Sequence, residues 1–135
     1  MFSQIMVPVD LRRVPEQARA LMVVGHQARM FDAQVTFVAL AVDGALSAEE
    51  FALMLDEFAA QQAKRHGIRC DSRVIVCDHP KAELEGELIV AAGEIGADLI
   101  VMATGKPGIA EYFWPSNGER LAGQAEVSVF LVRDV

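Results

Sequence analysis

The residues best suited to chemistry lie between residues 97 and 116, where an apolar run is followed by a loop and a helix start. Leu99 to Met102 is continuously apolar, which is typical of a strand covered on both faces of a parallel sheet. Thr104 to Gly108 is a loop of small residues with one positive charge, and Ser116 has Glu119 three positions later, the spacing of a capping box. Because the N–H groups of such a loop and of a helix start point toward one place, this stretch predicts an anion site where a phosphate would bind.

Predicted strands and helices alternate along the whole chain. Consecutive strands joined through helices indicate parallel pairing with right-handed crossovers. The sequence therefore predicts one domain over residues 1–135, an α/β three-layer sandwich around a five-stranded parallel sheet, for which the order 3-2-1-4-5 is assumed below. The predicted strands are 4–9, 34–42, 69–77, 98–103 and 127–133, and the predicted helices are 15–30, 47–66, 80–95 and 117–124.

The carboxyl ends of these strands form the edge where an open parallel sheet binds ligands, at the point where the winding direction reverses. In the order 3-2-1-4-5 this point lies between the first and the fourth strand. Pro8, near the end of the first strand, also predicts that pairing stops there on one side. The residues that meet at this edge are Pro8, Val9 and Asp10 from the first strand, Leu40 and Ala41 from the second, and the loop from Ala103 to Ser116.

Composition limits the classes of function. The chain has 135 residues, of which 53% are hydrophobic, and a formal net charge of −7. Proteins that bind nucleic acid normally show a basic face, so this balance argues against nucleic acid as a partner. No apolar run reaches the roughly 18 residues that a membrane span needs, and no secretory signal is recognisable. The sequence therefore predicts a cytoplasmic protein that does not associate with membranes.

Four segments together resemble the universal stress protein A family. They are the opening Ile-Met-Val-Pro-Val-Asp, the strand Ala-Asp-Leu-Ile-Val-Met, the Gly-Ile…Pro-Ser loop and the terminal Val-Phe-Leu-Val. They occur in family order and, with the elements between them, cover essentially the whole chain. The resemblance implies a Rossmann-like fold of the adenine nucleotide alpha hydrolase-like type and a dimer formed through the last strand. In one branch of the family it also implies ATP binding through Gly-x2-Gly-x9-Gly-(Ser/Thr).

Two alignments of that glycine motif compete. Read literally, Gly105, Gly108 and Gly118 fit the spacing, but Glu119 then stands where the phosphate-binding hydroxyl is expected. A carboxylate at that position would repel a phosphate. Aligned instead from the final helix and strand, Ser116 takes the hydroxyl position and Gly105 becomes the middle glycine.

The second alignment is preferred because it keeps Ser116 as the helix cap. Its consequence is unfavourable to ATP, since Ala103 then replaces the first glycine and Pro115 the last. Proline has no N–H and fixes its own φ, so the loop loses one phosphate donor and some freedom to wrap a triphosphate. Alanine is the milder change unless its position needs a positive φ.

The resemblance implies an adenine nucleotide, ATP or another, at the predicted edge, with Asp10 and Leu40 at the base and ribose and the loop at the phosphates. Each polar candidate also has a structural alternative. Asp10 is otherwise a solvated strand-end aspartate, Ser116 a helix cap alone and Lys106 a solvated loop lysine. The predicted cofactor-binding residues are Pro8, Val9, Asp10, Leu40, Met102, Ala103, Gly105, Lys106, Gly108, Pro115 and Ser116.

The alternative function is protein association without a nucleotide. The aromatic run Tyr112–Trp114 either stacks on a base or closes over the sheet end as core, filling the space that a nucleotide would use. The last strand, from Val127 to Arg133, has apolar residues on both faces, and a two-fold partner that pairs the same strand antiparallel would cover this edge. A homodimer, with further protein partners, is the expected assembly.

No enzymatic or metal chemistry is predicted. The three histidines, at positions 26, 66 and 79, have no carboxylate or cysteine at ligand spacing. The order of elements offers no nucleophile with a base, no paired carboxylates and no residue to orient a water for ATP hydrolysis. Cys70 and Cys77 point to opposite faces of one predicted strand, so both are expected to be reduced. We therefore expect a binding or regulatory module and not a catalyst.

Overall fold

The computed structural model describes residues 1–41, 47–76, 80–104 and 121–133, with residues 80–82 described by their backbone alone. Within these ranges strands and helices alternate as predicted, and no strand end differs from its predicted position by more than one residue. The elements are β1 (Gln4–Pro8), α1 (Ala18–Phe31), β2 (Gln34–Ala41), α2 (Ala48–His66), β3 (Arg69–Val76), α3 (Pro80–Ile95), β4 (Leu99–Thr104) and β5 (Ser128–Arg133), with a helical segment at 121–124 before β5.

The sheet has the predicted topology. All five strands are parallel and lie in the order β3-β2-β1-β4-β5. From β1 the chain moves outward through β2 to β3, then crosses back to β4 and continues to β5. Because parallel crossovers are right-handed, this reversal places α1 and α2 against one face and α3 with the 121–124 segment against the other. The three-layer α/β sandwich is confirmed.

Side chains of the sheet alternate between two apolar cores. On β1, Ile5 and Val7 contact the layer formed by α1 and α2, whereas Met6 contacts the layer formed by α3, and each of the three is at most 2% exposed. Phe37 on β2 meets Phe58 on α2 edge to face, with ring centroids 5.1 Å apart. Full burial of such a side chain stabilises the fold by roughly 1.5–3 kcal/mol. The strands are therefore held firmly from both faces.

The helix α2 begins and ends where the sequence predicts. Ser47 Oγ accepts a hydrogen bond of 3.1 Å from the Glu50 N–H, and the Glu50 carboxylate accepts one of 3.4 Å from the Ser47 N–H, which completes the capping box. After His66, Gly67 has a φ of 65°, a left-handed conformation that costs glycine nothing. The predicted stop of α3 at Gly96 has the same character, with a φ of 74°.

The helix α1 begins three residues later than the sequence predicts. Leu11–Arg13 and Pro15–Gln17 form two 3-10 turns, and the α-helix begins at Ala18. The backbone of Gln17 is not helical (φ −106°, ψ 6°), and its side chain is turned back toward the end of β1. These hydrogen bonds hold the connection in tight turns beside the sheet.

Asp98, which precedes β4, closes the amino edge of the sheet. Its carboxylate accepts hydrogen bonds of 2.9–3.2 Å from the N–H groups of Ser3 and Gln4 and from the Ser3 hydroxyl. Its own N–H donates to the Gln4 carbonyl at 2.9 Å. Desolvation acts to raise the pKa of Asp98, but these hydrogen bonds outweigh it and hold the pKa below its ordinary value. The start of β1 is thereby clamped to the start of β4.

We expect Asp98→Asn to lower the free energy of unfolding at neutral pH by about 1 kcal/mol, because the amide keeps one acceptor oxygen and loses the charge that strengthens these hydrogen bonds. The folded-state pKa lies below the ordinary value of 3.8. The stabilisation is therefore present above that pH and is lost as the pH falls through the folded-state pKa. Urea unfolding at neutral pH and below about pH 4 measures both effects.

The matched control is Asp71→Asn, since the Asp71 carboxylate accepts a hydrogen bond from the Gln34 side chain on the exposed surface. We expect this variant to lose less stability than Asp98→Asn. Equal losses at neutral pH, or a difference from wild type that widens in acid, would contradict the role given to Asp98.

Candidate functional site

The pairing of β1 with β4 covers only the first half of each strand. The register between them ends at Met6 and Ile100. On the other side of β1, the Val9 N–H still donates to the Val38 carbonyl of β2 at 2.8 Å. Because successive residues of a strand direct their polar groups to alternate neighbours, the N–H that Pro8 lacks falls on the β4 side. The predicted end of pairing at Pro8 is confirmed. Beyond it, the carboxyl ends of β1 and β4 lie at the reversal point of the strand order, where open α/β sheets bind ligands in a crevice. This part of the edge, at Pro8–Asp10 and Met102–Thr104, is called the crevice below.

The crevice brings together the residues predicted from β1, β2 and β4. Asp10 follows β1 with an extended backbone (φ −107°, ψ 108°). Continued from the paired residues, the registers of β1 place Asp10 level with Leu40 on β2 and with Thr104 on β4. The sequence places Thr104 in the following loop, but it is the last residue of β4.

The apolar side chains of the predicted site belong to the two cores. Met102 and Leu40 are 0% and 5% exposed beneath α3, and Val9 is 2% exposed beneath α1 and α2. Ala103 packs against the same core as Val9. These residues therefore offer main-chain groups to a ligand in the crevice and not their side chains.

Asp10 is a buried carboxylate held by one arginine. Its side chain is 7% exposed, so the alternative expectation of a solvated aspartate is wrong. Oδ1 accepts hydrogen bonds from the main-chain N–H of Arg12 at 3.0 Å and from its Nε at 3.1 Å, and Oδ2 accepts one from its Nη2 at 3.1 Å. The guanidinium therefore grips both oxygens, the strongest geometry for such a pair. The Arg12 side chain is itself 53% exposed.

Gln17 fixes the backbone beneath this pair. Its Oε1 accepts from the Asp10 N–H at 3.0 Å, while its Nε2 donates to the carbonyls of Asp10 at 2.7 Å and Arg13 at 2.8 Å. Gln17 is 5% exposed, so these bonds satisfy main-chain groups that water does not reach. Sequence reasoning missed the role of Gln17 and the ion pair between Arg12 and Asp10. An aspartate two residues before an arginine is a signal for the ion pair. The contact of Gln17 with Asp10 has no such signal, because it depends on the two 3-10 turns that return the chain to the end of β1.

The loop half of the predicted site lies outside the described residues. The choice between the two glycine alignments therefore stays a prediction. The description resumes at Leu121, which is fully buried in the core beneath α3. The residues concerned are Gly105, Lys106, Gly108, Pro115 and Ser116, together with the aromatic run Tyr112–Trp114.

The family of this chain is identified by comparing its sequence with models of known families. The sequence model of the universal stress protein family matches residues 1–133. The chain belongs to the universal stress protein family. The match spans both the described strands and the loop, so it confirms the resemblance that the four motifs indicate.

Solved universal stress proteins share the fold. A family member from Burkholderia pseudomallei is 25% identical with a TM-score of 0.68, over 96% of this chain and 95% of that chain. A protein from Archaeoglobus fulgidus in complex with dAMP is 19% identical with a TM-score of 0.67, over 96% of each chain. A protein from Arabidopsis thaliana with AMP bound is 16% identical with a TM-score of 0.65, over 97% of this chain and 91% of that chain. No curated protein matches the sequence.

Cys70 of this universal stress protein is a half-buried thiol on β3, packed against the core beneath α1 and α2. Burial, followed by the nearby charge of Asp71, raises the pKa of Cys70 to about 11. The thiol therefore stays protonated at neutral pH and is a poor nucleophile. Its predicted companion Cys77 lies outside the described residues.

His66 of this family member, the last residue of α2, packs against α1. The His66 imidazole lies so close to Gly25 on α1 that an added Cβ there would stand 2.4 Å from its Nδ1. Burial and then the charge of Arg65 lower the pKa of His66. In the described part of the chain, no three His, Cys, Asp or Glu side chains are grouped to hold a metal ion. No helix in those same ranges has the length and apolar character to cross a membrane.

We expect Gln17→Ala to lower the free energy of unfolding by about 2–4 kcal/mol, because it leaves the Asp10 N–H and two carbonyls without their buried partner. Chemical denaturation of the purified protein measures the loss. Gln61→Ala, on the exposed surface of α2, is the matched control and should change stability by less than about 0.5 kcal/mol. Similar values for the two variants would show that Gln17 does not support the turn.

Proposed function

We propose that this universal stress protein binds an adenine nucleotide in the crevice at the carboxyl ends of β1 and β4 and acts as a regulatory module, not as a catalyst. The observation that carries the proposal is the end of β1–β4 pairing after Met6 and Ile100. Past that pair the two strands are not paired with each other, and this point is the reversal of the sheet, where open α/β sheets bind ligands. Relatives of the same fold hold dAMP and AMP.

The proposed contacts divide between the strands and the loop. Asp10 and the main chain of Leu40 contact the base and ribose. The phosphates lie against the N–H groups of the loop and the start of the final helix, where helix and loop donors favour anions. Pro115 removes one such donor in the preferred alignment. A monophosphate needs fewer donors than a triphosphate, so this loop suits AMP better than ATP. The loop residues assigned to the phosphates are Gly105, Lys106, Gly108 and Ser116.

We expect AMP to bind saturably with micromolar affinity and ATP more weakly, as measured by calorimetry on the purified protein. Ser116→Glu places a carboxylate at the phosphate position and should abolish binding, because two negative charges at short range repel strongly in a partly desolvated site. The nucleotide recovered after the titration should be unchanged, as expected of a binding module.

The matched control is Ser128→Glu, an identical substitution at an exposed position where β5 begins, on the opposite edge of the sheet. It should bind AMP as wild type does. Absence of binding at millimolar AMP and ATP, or an equal loss in both variants, would overturn the nucleotide site and leave protein association as the function.

We also propose that the protein forms a homodimer through β5 in the cytoplasm. The two edges of the sheet differ. The β3 edge carries Arg69, Asp71 and Arg73, charges of the kind that protect an edge strand. The β5 edge carries apolar residues between Ser128 and Arg133, with Phe130 41% exposed and Val129 half-buried. A second copy paired antiparallel on β5 would cover these side chains and satisfy the edge backbone.

We expect wild type to show the mass of a dimer by light scattering at micromolar concentration and Phe130→Lys to show that of a monomer, because the two-fold axis would bring two like charges together. Val76→Lys makes the same change at the end of the β3 edge, where the native side chain is 71% exposed, and should remain dimeric. A monomeric wild type, or dissociation caused only by Val76→Lys, would contradict the proposed interface.

A further inference from the structure

Arg12 occupies most of the acceptor capacity of the Asp10 carboxylate. A carboxylate has about four lone-pair positions for hydrogen bonds. Three hydrogen bonds to Asp10 come from Arg12, one from its main chain and two from its guanidinium. An adenine amino group or a ribose hydroxyl is a donor, so it competes with the guanidinium for the same oxygens.

A ligand donor can take the place of the guanidinium while the carboxylate keeps its position. The Arg12 side chain is 53% exposed, whereas Asp10 is 7% exposed. The position of Asp10 is set separately: its N–H donates to Gln17 Oε1, its carbonyl accepts from Gln17 Nε2, and its carboxylate accepts from the Arg12 main-chain N–H. The site therefore has a fixed acceptor and a displaceable occupant.

We propose that Arg12 is a specificity-determining residue that withholds Asp10 from donor groups of the ligand, so that the site recognises an adenosine moiety weakly and depends on the phosphate for affinity. This inference rests on the proposed function. It assigns to the site nucleoside phosphates as ligands, as opposed to free nucleosides. A nucleoside offers only neutral donors, which must displace a charge-assisted bidentate pair before they reach the carboxylate.

The experiment compares calorimetric titrations of adenosine and of AMP into wild type and Arg12→Ala. Adenosine carries no charge, so its affinity reports the release of Asp10 and not attraction to a phosphate. We expect Arg12→Ala to bind adenosine at least about tenfold more tightly than wild type, the gain expected for a hydrogen bond to a charged acceptor. The ratio of AMP affinity to adenosine affinity should fall accordingly.

Two further variants test whether the gain in adenosine affinity comes from the release of the Asp10 carboxylate. Arg13→Ala makes the same charge change in the same 3-10 turn, while the hydrogen bonds to the Asp10 carboxylate come from Arg12, and it should bind adenosine as wild type does. Asp10→Asn combined with Arg12→Ala keeps the shape of the side chain but removes its charge, and most of the gain should disappear. Thermal unfolding of each variant identifies any loss of fold.

The outcomes separate this inference from the proposed function. Tighter adenosine binding in Arg12→Ala, absent from the Arg13→Ala and double variants, supports it. If wild type binds AMP but Arg12→Ala binds adenosine equally or less well, the inference is wrong and the nucleotide site stands. A gain that Arg13→Ala shares reflects net charge and also overturns it. If folded wild type and Arg12→Ala bind neither ligand, both proposals fall.

Discussion

The end of pairing between β1 and β4 after Met6 and Ile100 is the constraint on which the candidate site depends. A central strand directs its N–H and C=O groups alternately to two neighbours, and every such group needs a partner. Where pairing with one neighbour ends, the groups on that side are left for other partners. The connection from β1 to β2 and the connection from β3 back to β4 run in opposite directions, so α1 and α3 lie on opposite faces of the sheet, which is the usual setting of a ligand crevice. Pro8 contributes by lacking a donor on that side.

Two apolar layers make the edge of the crevice rigid. Met102 and Leu40 are committed to one core and Val9 to the other, each at most 5% exposed. Their burial fixes the main chain that borders the crevice to within the tolerance of close packing. A ligand site of this kind depends less on the identity of the bordering side chains than on the backbone that they anchor.

Asp10 is a buried charge at this edge, and such a charge needs a charged partner and hydrogen bonds. An unpaired carboxylate at 7% exposure would be strongly destabilising, and the desolvation penalty of even a paired one is considerable. Arg12 pairs with both oxygens of the Asp10 carboxylate, and Gln17 hydrogen-bonds the adjoining backbone. The same arrangement that makes Asp10 stable reduces its capacity to accept further hydrogen bonds. Stability of the turn and recognition of a ligand are thus in competition at one side chain.

The sequence by itself determined the architecture, because its signals are local. Alternation of apolar runs with amphipathic segments predicts parallel strands and helices. Ser47 with Glu50 and the glycines at positions 67 and 96 mark helix ends, since capping and positive φ depend only on neighbouring residues. The family motifs extended this to the strand order and to the edge at which a ligand is expected.

Only the tertiary structure decided which of the predicted residues have side chains available to a ligand and which are buried or already paired within the protein. The sequence does not show that Asp98 clamps Ser3, 95 positions away, because that contact exists only once β1 and β4 are paired. It also does not show that Gln17 folds back on Asp10, which delays α1 and contradicts a local helix signal beginning at Pro15. Long-range burial and hydrogen bonding outweigh local propensity at such points. They assigned Met102 and Leu40 to the core and gave Asp10 its partner in Arg12.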